Sequence, residues 1–200
     1  MNAYRTSYGA GAMLIGLLAA GCAAPEIAPS YVGKVTDPGQ DAAVAVVSDG
    51  LQVTVYVCGG PTTFDKLSRW YKGDVDAEGA FKLEKGNSEV TGDLRSGTGQ
   101  ITTDAGGALS FAVHPIDNDQ EGLYAAMDDS CRTGAVVGDL DGNGTVRLQG
   151  TWCQAMSATE NRFAQVSPLT PANLITARGI GLKVLIDPGK SIFVDRVAAP

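Results

Sequence analysis

The chain has 200 residues and a formal net charge of −7, with 15 Lys and Arg against 22 Asp and Glu. Acidity without any Lys/Arg cluster excludes a nucleic-acid-binding face. It also excludes charge-driven adhesion to anionic lipid headgroups. Charged residues make up only 18%, and many of the 26 glycines fall between short β-branched runs, the balance of a globular chain and not a disordered one.

The first segment combines Arg5, an apolar run over 13–20 (MLIGLLAA) and then small residues, with no acid before Glu26. This is the order of a secretory signal. The apolar run is far shorter than the roughly 20 residues of a membrane-spanning helix, and no later stretch is longer. The stretch Leu18-Ala19-Ala20-Gly21-Cys22 resembles a lipobox, the processing site of bacterial lipoprotein precursors, with Ala19 standing where Leu is commoner. The resemblance implies cleavage before Cys22 by the lipoprotein-processing machinery and a diacylglyceryl group (palmitate-type chains) on its sulfur. Two acyl chains give stable anchoring where one alone is marginal. The alternative is an ordinary signal peptide with a chance cysteine. Pro25 and Pro29 among small residues predict a semi-extended tether. Ala23 follows the cysteine in place of the Asp that retains lipoproteins at the inner membrane, so either the cell membrane or the outer membrane is open to it. The expected organisation is a signal peptide over 1–21, lipidated Cys22 and tether over 22–41, and a β domain over 42–200, divisible into 42–127 and 128–200.

From residue 42 the pattern alternates between strand and turn. Runs at 42–47 and 51–58 flank Ser48-Asp49-Gly50, a hairpin signal because Gly supplies the positive φ of a tight turn. The nearly continuous run over 43–47 (AVAVV) predicts a strand buried on both faces. The stretch 64–71 fits either a short helix or a strand. Short strands follow at 80–84, 89–95, 99–103, 108–113 and 123–127, separated by Gly-containing turns. A long hairpin has arms at 131–138 and 145–153. The stretch 154–171 reads as a polar loop. A last hairpin joins 181–186 to 192–197 around Pro188-Gly189. The expected fold is all-β, an antiparallel meander forming a barrel or sandwich. An internal echo links 73–83 with 138–148. Two hairpins sharing one turn chemistry explain it, and a duplicated half-domain is the alternative.

The stretch 42–124 resembles extracytoplasmic β-rich modules of actinobacterial surface proteins. The likeness is carried by Val44-Ala45-Val46-Val47, Asp49-Gly50, Val55-Tyr56-Val57-Cys58, Trp70, Gly73 and Gly122-Leu123-Tyr124. It covers under half the chain and implies no activity.

With Cys22 assigned to lipid, Cys58, Cys131 and Cys153 remain, in an exported chain where disulfides form. Cys131 and Cys153 are symmetric about Gly142, the middle of the predicted hairpin turn, which places them nearly opposite each other. The expected disulfide is Cys131–Cys153. Pairings of Cys58 with either are the alternatives. An unpaired Cys58 in an apolar strand would be an inert buried thiol.

Asp139, Asp141 and Asn143, with Gly at the sixth position of the run, match the first part of a calcium loop. The twelfth position, however, is Gly150 and not Glu, and the flanks read as strands, so a polar hairpin turn is favoured and no metal or other cofactor is expected. His114 is the single histidine and cannot by itself hold zinc. No Gly-x-Ser-x-Gly elbow accompanies it. The acids Asp117, Asp119, Asp128 and Asp129 fall in predicted loops, where carboxylates are usually only solvated. Trp70, Tyr71, Phe81, Phe111, Tyr124 and Trp152 are expected to pack the core. The sequence therefore predicts a lipid-anchored, extracytoplasmic β module, non-enzymatic, binding an envelope partner or serving a structural role. The alternatives are a carrier of an apolar ligand inside a β-barrel and an envelope-polymer hydrolase.

Overall fold

The computed structural model describes residues 30–116, 118–128, 131–157, 160–168, 179–184 and 190–200. Cys22, the predicted signal segment and residues 23–29 of the predicted tether lie outside these residues, as do Asp117, Asp129 and the turn at 185–189.

Among the described residues, fourteen antiparallel strands build two sheets. The first contains β1 (Ser30–Val35), β2 (Ala43–Ser48), β3 (Gln52–Cys58), β4 (Arg69–Asp74), β5 (Ala80–Lys85), β6 (Ser88–Asp93), β7 (Thr98–Thr102) and β8 (Ala108–Pro115). The second contains β9 (Gly122–Asp128), β10 (Cys131–Gly138), β11 (Arg147–Ala155), β12 (Asn161–Pro168), β13 (Gly179–Val184) and β14 (Ser191–Arg196). One helical turn, α1 (Phe64–Leu67), precedes β4, so the ambiguous 64–71 stretch contains both a helical turn and a strand. The all-β antiparallel meander expected from the sequence is the fold.

The first sheet runs β4-β3-β2-β1-β8-β7-β6-β5, with β1 hydrogen-bonded to β8. It is a half-barrel. Its two edge strands are consecutive in the chain and meet at one bridge, Val75 to Phe81. The second sheet closes into a six-stranded barrel through β14 and β9.

Side-chain alternation assigns each face. Val44 and Val46 of β2, Val53, Val55 and Val57 of β3, Tyr71, Phe81 and Phe111 fill the half-barrel. Tyr124, Ala135, Trp152, Ala164, Ile180 and Val194 fill the closed barrel. A third cluster joins the two, with Ala43, Ala45, Val47, Tyr56 and Cys58 on one side and Leu123 and Val136 on the other. This is why the AVAVV strand is buried on both faces: β2 has the half-barrel core on one side and the closed barrel on the other. At the β2–β3 turn, Gly50 has φ +88° and the Asp49 carboxylate accepts the N–H groups of Leu51 and Gln52 at 2.8 and 2.7 Å. These bonds hold the Asp49 carboxyl below its usual range.

Three boundaries differ from expectation. The first sheet begins at Ser30, inside the 22–41 stretch read as tether. There Val32 and Val35 are buried, and a Cβ on Gly33 would stand 2.0 Å from the Ala112 carbonyl oxygen, so the backbone of β1 lies tightly on β8. The sheets divide between Pro115 and Gly122, ahead of the 127/128 division suggested by the sequence, because β9 pairs with β10. The polar 154–171 stretch contains β12, which pairs with β11 through Trp152–Ala164 and its neighbours. Only Ala164 and Val166 of its first six residues are buried, and that thin period-2 signal is hidden by the Asn, Arg and Gln around it.

Candidate functional site

The site begins with two aromatic residues on the outer face of the half-barrel. Tyr56 of β3 and Trp70 of β4 are register partners, and their rings stack with centroids 4.3 Å apart at 27°. The β10 backbone lies against this pair at Gly134, where the Tyr56 hydroxyl donates to the Gly134 carbonyl at 3.4 Å. Two residues away, on the same face of β10, Arg132 places its guanidinium 3.6 Å from the centroid of the Trp70 ring. An Arg–Trp contact of this kind contributes about 0.5–2 kcal/mol, more as water is excluded. Burial lowers the Arg132 pKa from its ordinary value. Trp70 Nε1–H is buried with no acceptor among the described residues, an unmade bond that costs about 1–3 kcal/mol.

Both sheets open at this place. Between β4 and β5 only the Val75–Phe81 bridge is made. Between β10 and β11 the ladder stops at Gly134–Thr151. Beyond it the Thr133 hydroxyl stands in for the ladder, accepting the Cys153 N–H at 3.0 Å and donating to the Cys153 carbonyl at 3.4 Å. The Cys131–Cys153 disulfide then holds the two strands together, with Cα atoms 5.4 Å apart. The pairing is the one expected, and Cys58 is the free, buried thiol. The space between the two openings is a cleft of about 690 Å³. Trp70, Arg132, Lys85, Met127 and Phe163 are among its walls. Met127 and Phe163 are unusually exposed for apolar side chains, at 63% and 43%.

The charge of the cleft contrasts with that of the chain. Among the described residues, its walls carry three basic residues, Arg69, Lys85 and Arg132, and one acid, Asp104. Arg69 grips Asp104 through both guanidinium ends, one at 2.8 Å, which raises the Arg69 pKa and lowers that of Asp104. Among the described residues neither Lys85 nor Arg132 has an ion-pair partner. Beneath the cleft, Cys58 Sγ lies 3.6 Å from Thr151 Oγ1, which is 2.8 Å from Ser68 Oγ, itself the acceptor of the Gly59 N–H at 3.1 Å. Burial pushes the Cys58 thiol up to about 11, so it is not a nucleophile at neutral pH.

The residues with calcium-loop spacing lie elsewhere, in the β10–β11 turn. The Asp139 carboxylate accepts the N–H groups of Asn143 and Gly144, and Asn143 Oδ1 accepts the Thr145 N–H. Asp141 pairs with Lys34 and with Arg147. Gly142 and Gly144 have φ +69° and +83°. These are the bonds of a polar hairpin turn. The echo at 73–83 forms the β4–β5 turn with the same chemistry, the Asp76 carboxylate accepting the Glu78 and Ala80 N–H groups. His114 sits half-buried in β8 opposite Val32, away from the cleft walls. Asp128 accepts the Ala155 N–H at 3.2 Å.

Of the six aromatics expected in the core, Tyr71, Phe81, Phe111, Tyr124 and Trp152 are buried. Trp70 is the exception, a half-buried wall of the cleft. Sequence reasoning did not single out Arg132. Its signal was the alternation Arg132, Gly134, Val136, Gly138: Gly at alternate positions of a strand marks a close approach of another backbone or ring. No family model matches the chain, and neither does any curated protein or solved structure.

Proposed function

We propose that this protein is a lipid-anchored, non-enzymatic binding protein of the cell envelope, held on the cell membrane or outer membrane through Cys22, with the Trp70–Arg132 cleft as its binding site. The observation carrying this reading is where the cleft lies relative to Ser30. In an up-and-down sheet, β1 starts at one end, and the β3–β4, β5–β6 and β7–β8 connections lie at the other. Ser68, Lys85 and Asp104 line the cleft from those three connections or beside them. A lipid on Cys22 and a tether of Ala23 to Pro29, which extends at most ~25 Å, would hold the Ser30 end toward the bilayer and turn the cleft outward to a partner in the envelope. The likeness of 42–124 to actinobacterial surface modules points to the same compartment.

A binding role is favoured over catalysis by the ionic state of the cleft. Its acid is held low by Arg69 and its underlying thiol is pushed up, so neither is poised for proton transfer near neutral pH. The packed interiors of both sheets favour the cleft over a barrel lumen as the place for a ligand. Two measurements test the proposal. Cys22→Ala should move the protein from the membrane fraction to the soluble fraction, and unchanged retention would remove the anchor. Native mass spectrometry of the processed protein should find a co-purifying ligand or partner that Trp70→Ala loses, and a ligand unaffected by that change would remove the cleft.

A further inference from the structure

We infer that the cleft recognises a carboxylate carried beside an apolar side chain, as at the end of a peptide, with Arg132 as the residue that grips it. The inference rests on the cleft being the binding site and adds the chemistry of what enters it. Trp70 covers one face of the Arg132 guanidinium at 3.6 Å, which fixes the plane of the group and leaves its edge to donate. A guanidinium edge presents parallel N–H groups that match the two oxygens of a carboxylate. Among the described residues no protein carboxylate takes that edge. The other basic wall residue near an acid, Arg69, is satisfied by Asp104, so the two Arg residues of the cleft differ: one is structural and one is available.

Lys85 adds a second uncompensated positive charge, on a chain whose net charge is −7. A basic cleft on an acidic protein concentrates anions locally. The remaining walls narrow the class. Met127 and Phe163 are exposed apolar surfaces at the same cleft, suited to an apolar group next to the anion. A dianionic phosphate also pairs with a guanidinium edge, but the commonest backbone cradle for it is the converging N–H groups of a helix end. The single turn α1 does not supply one.

The test uses the 15N-labelled full chain and the two indole N–H resonances of Trp70 and Trp152, assigned with Trp70→Phe. The probes are N-acetyl-phenylalanine, its uncharged amide, a tripeptide ending in phenylalanine with a free carboxylate, and phenyl phosphate, each titrated to millimolar concentration. The expected result is a saturable shift of the Trp70 indole with the two carboxylates and not with the amide, tighter for the tripeptide than for the single residue. Arg132→Ala should weaken binding by about tenfold or more, the factor that a charged hydrogen bond corresponds to, with the Trp152 resonance unmoved as the check of fold. Lys85→Ala should weaken it less and serves as the second variant if Arg132→Ala does not fold. Equal shifts with the acid and the amide would overturn the carboxylate inference and leave the cleft reading standing. A response to phenyl phosphate alone would overturn it in favour of a phosphate. No shift of Trp70 with any probe would overturn the inference, and a co-purifying ligand lost in Trp70→Ala would still show the cleft to be a site for something else.

Discussion

Gly134 lies against the ring of Tyr56: a Cβ at that position would stand 2.4 Å from Tyr56 Cζ and 2.8 Å from Trp70 Cζ2. The Tyr56 ring has no room to retreat, because it is 1% exposed and stacked on Trp70. Gly134→Ala should therefore push β10 away from the half-barrel and displace Arg132 from Trp70. Overpacking of this kind destabilises by about 1–3 kcal/mol, to be read as a lower urea midpoint together with a changed Trp70 environment. An Ala variant within experimental error of the parent would mean that the two sheets are not docked through this contact.

The disulfide and the free thiol make opposite predictions. Cys131 and Cys153 are 22 residues apart, and closing such a loop stabilises by roughly 3 kcal/mol in the chain-entropy argument. Replacing both with Ala should lower stability by about that amount. The loss should fall first on the cleft, because the disulfide spans the strands where the β10–β11 ladder has stopped. Cys58, with its thiol raised to about 11 by burial, should resist alkylation at neutral pH. In the Cys22→Ala chain without reductant, mass spectrometry should count one alkylatable thiol after denaturation and none before it. Three thiols would remove the disulfide, and one thiol reactive in the native protein would place Cys58 at the surface.

The legible part of this fold was the part with a strong local signal. Asp49-Gly50 predicted its hairpin because an Asp carboxylate and a positive-φ Gly form that turn without help from the rest of the chain. Cys131–Cys153 was legible because symmetry about Gly142 is a statement about hairpin register, and the observed pairing of Gly134 with Thr151 has nearly the same centre. β12 was not legible: over 161–166 its buried residues are Ala164 and Val166, small and few, and the strand is held by its neighbours. β1 was missed for the same reason, since Gly33 contributes a close approach and no hydrophobic signal. The cleft was the least visible. It depends on Arg132 and Trp70, 62 positions apart by their residue numbers, being brought together by the docking of two sheets, and no local pattern encodes that meeting.

Calcium should leave the melting temperature unchanged. The Asp139 carboxylate accepts two backbone N–H groups, and Asp141 is held between Lys34 and Arg147. A cation would have to compete with Lys34 and Arg147 for Asp141, and the twelfth position of the loop, Gly150, has no carboxylate to offer. Thermal unfolding with and without millimolar Ca²⁺ checks this. A rise of several degrees, lost in Asp139→Ala, would identify a calcium site in place of the turn.

Asp141 also makes acid sensitivity partly a property of the junction between the sheets. Its carboxyl is held below the usual range first by the hydrogen bond from Lys34 and then by the charge of Arg147. Lys34 belongs to β1 of the half-barrel, whereas Asp141 and Arg147 belong to the closed barrel's hairpin. A carboxyl whose folded pKa is depressed contributes stability that is fully present above the unfolded value, about 3.9, and is lost as pH falls below it toward the folded value. Urea midpoints should therefore fall as the pH drops through about 4 and below, and Asp141→Asn should flatten part of that fall. Lys34 is well exposed, so the effect should be modest. Lys34→Gln should flatten the same part, and the double variant should add little to either, because both changes remove one interaction. Fully additive effects would mean that Lys34 and Asp141 act on stability separately, and that the pair does not couple the half-barrel to the closed barrel.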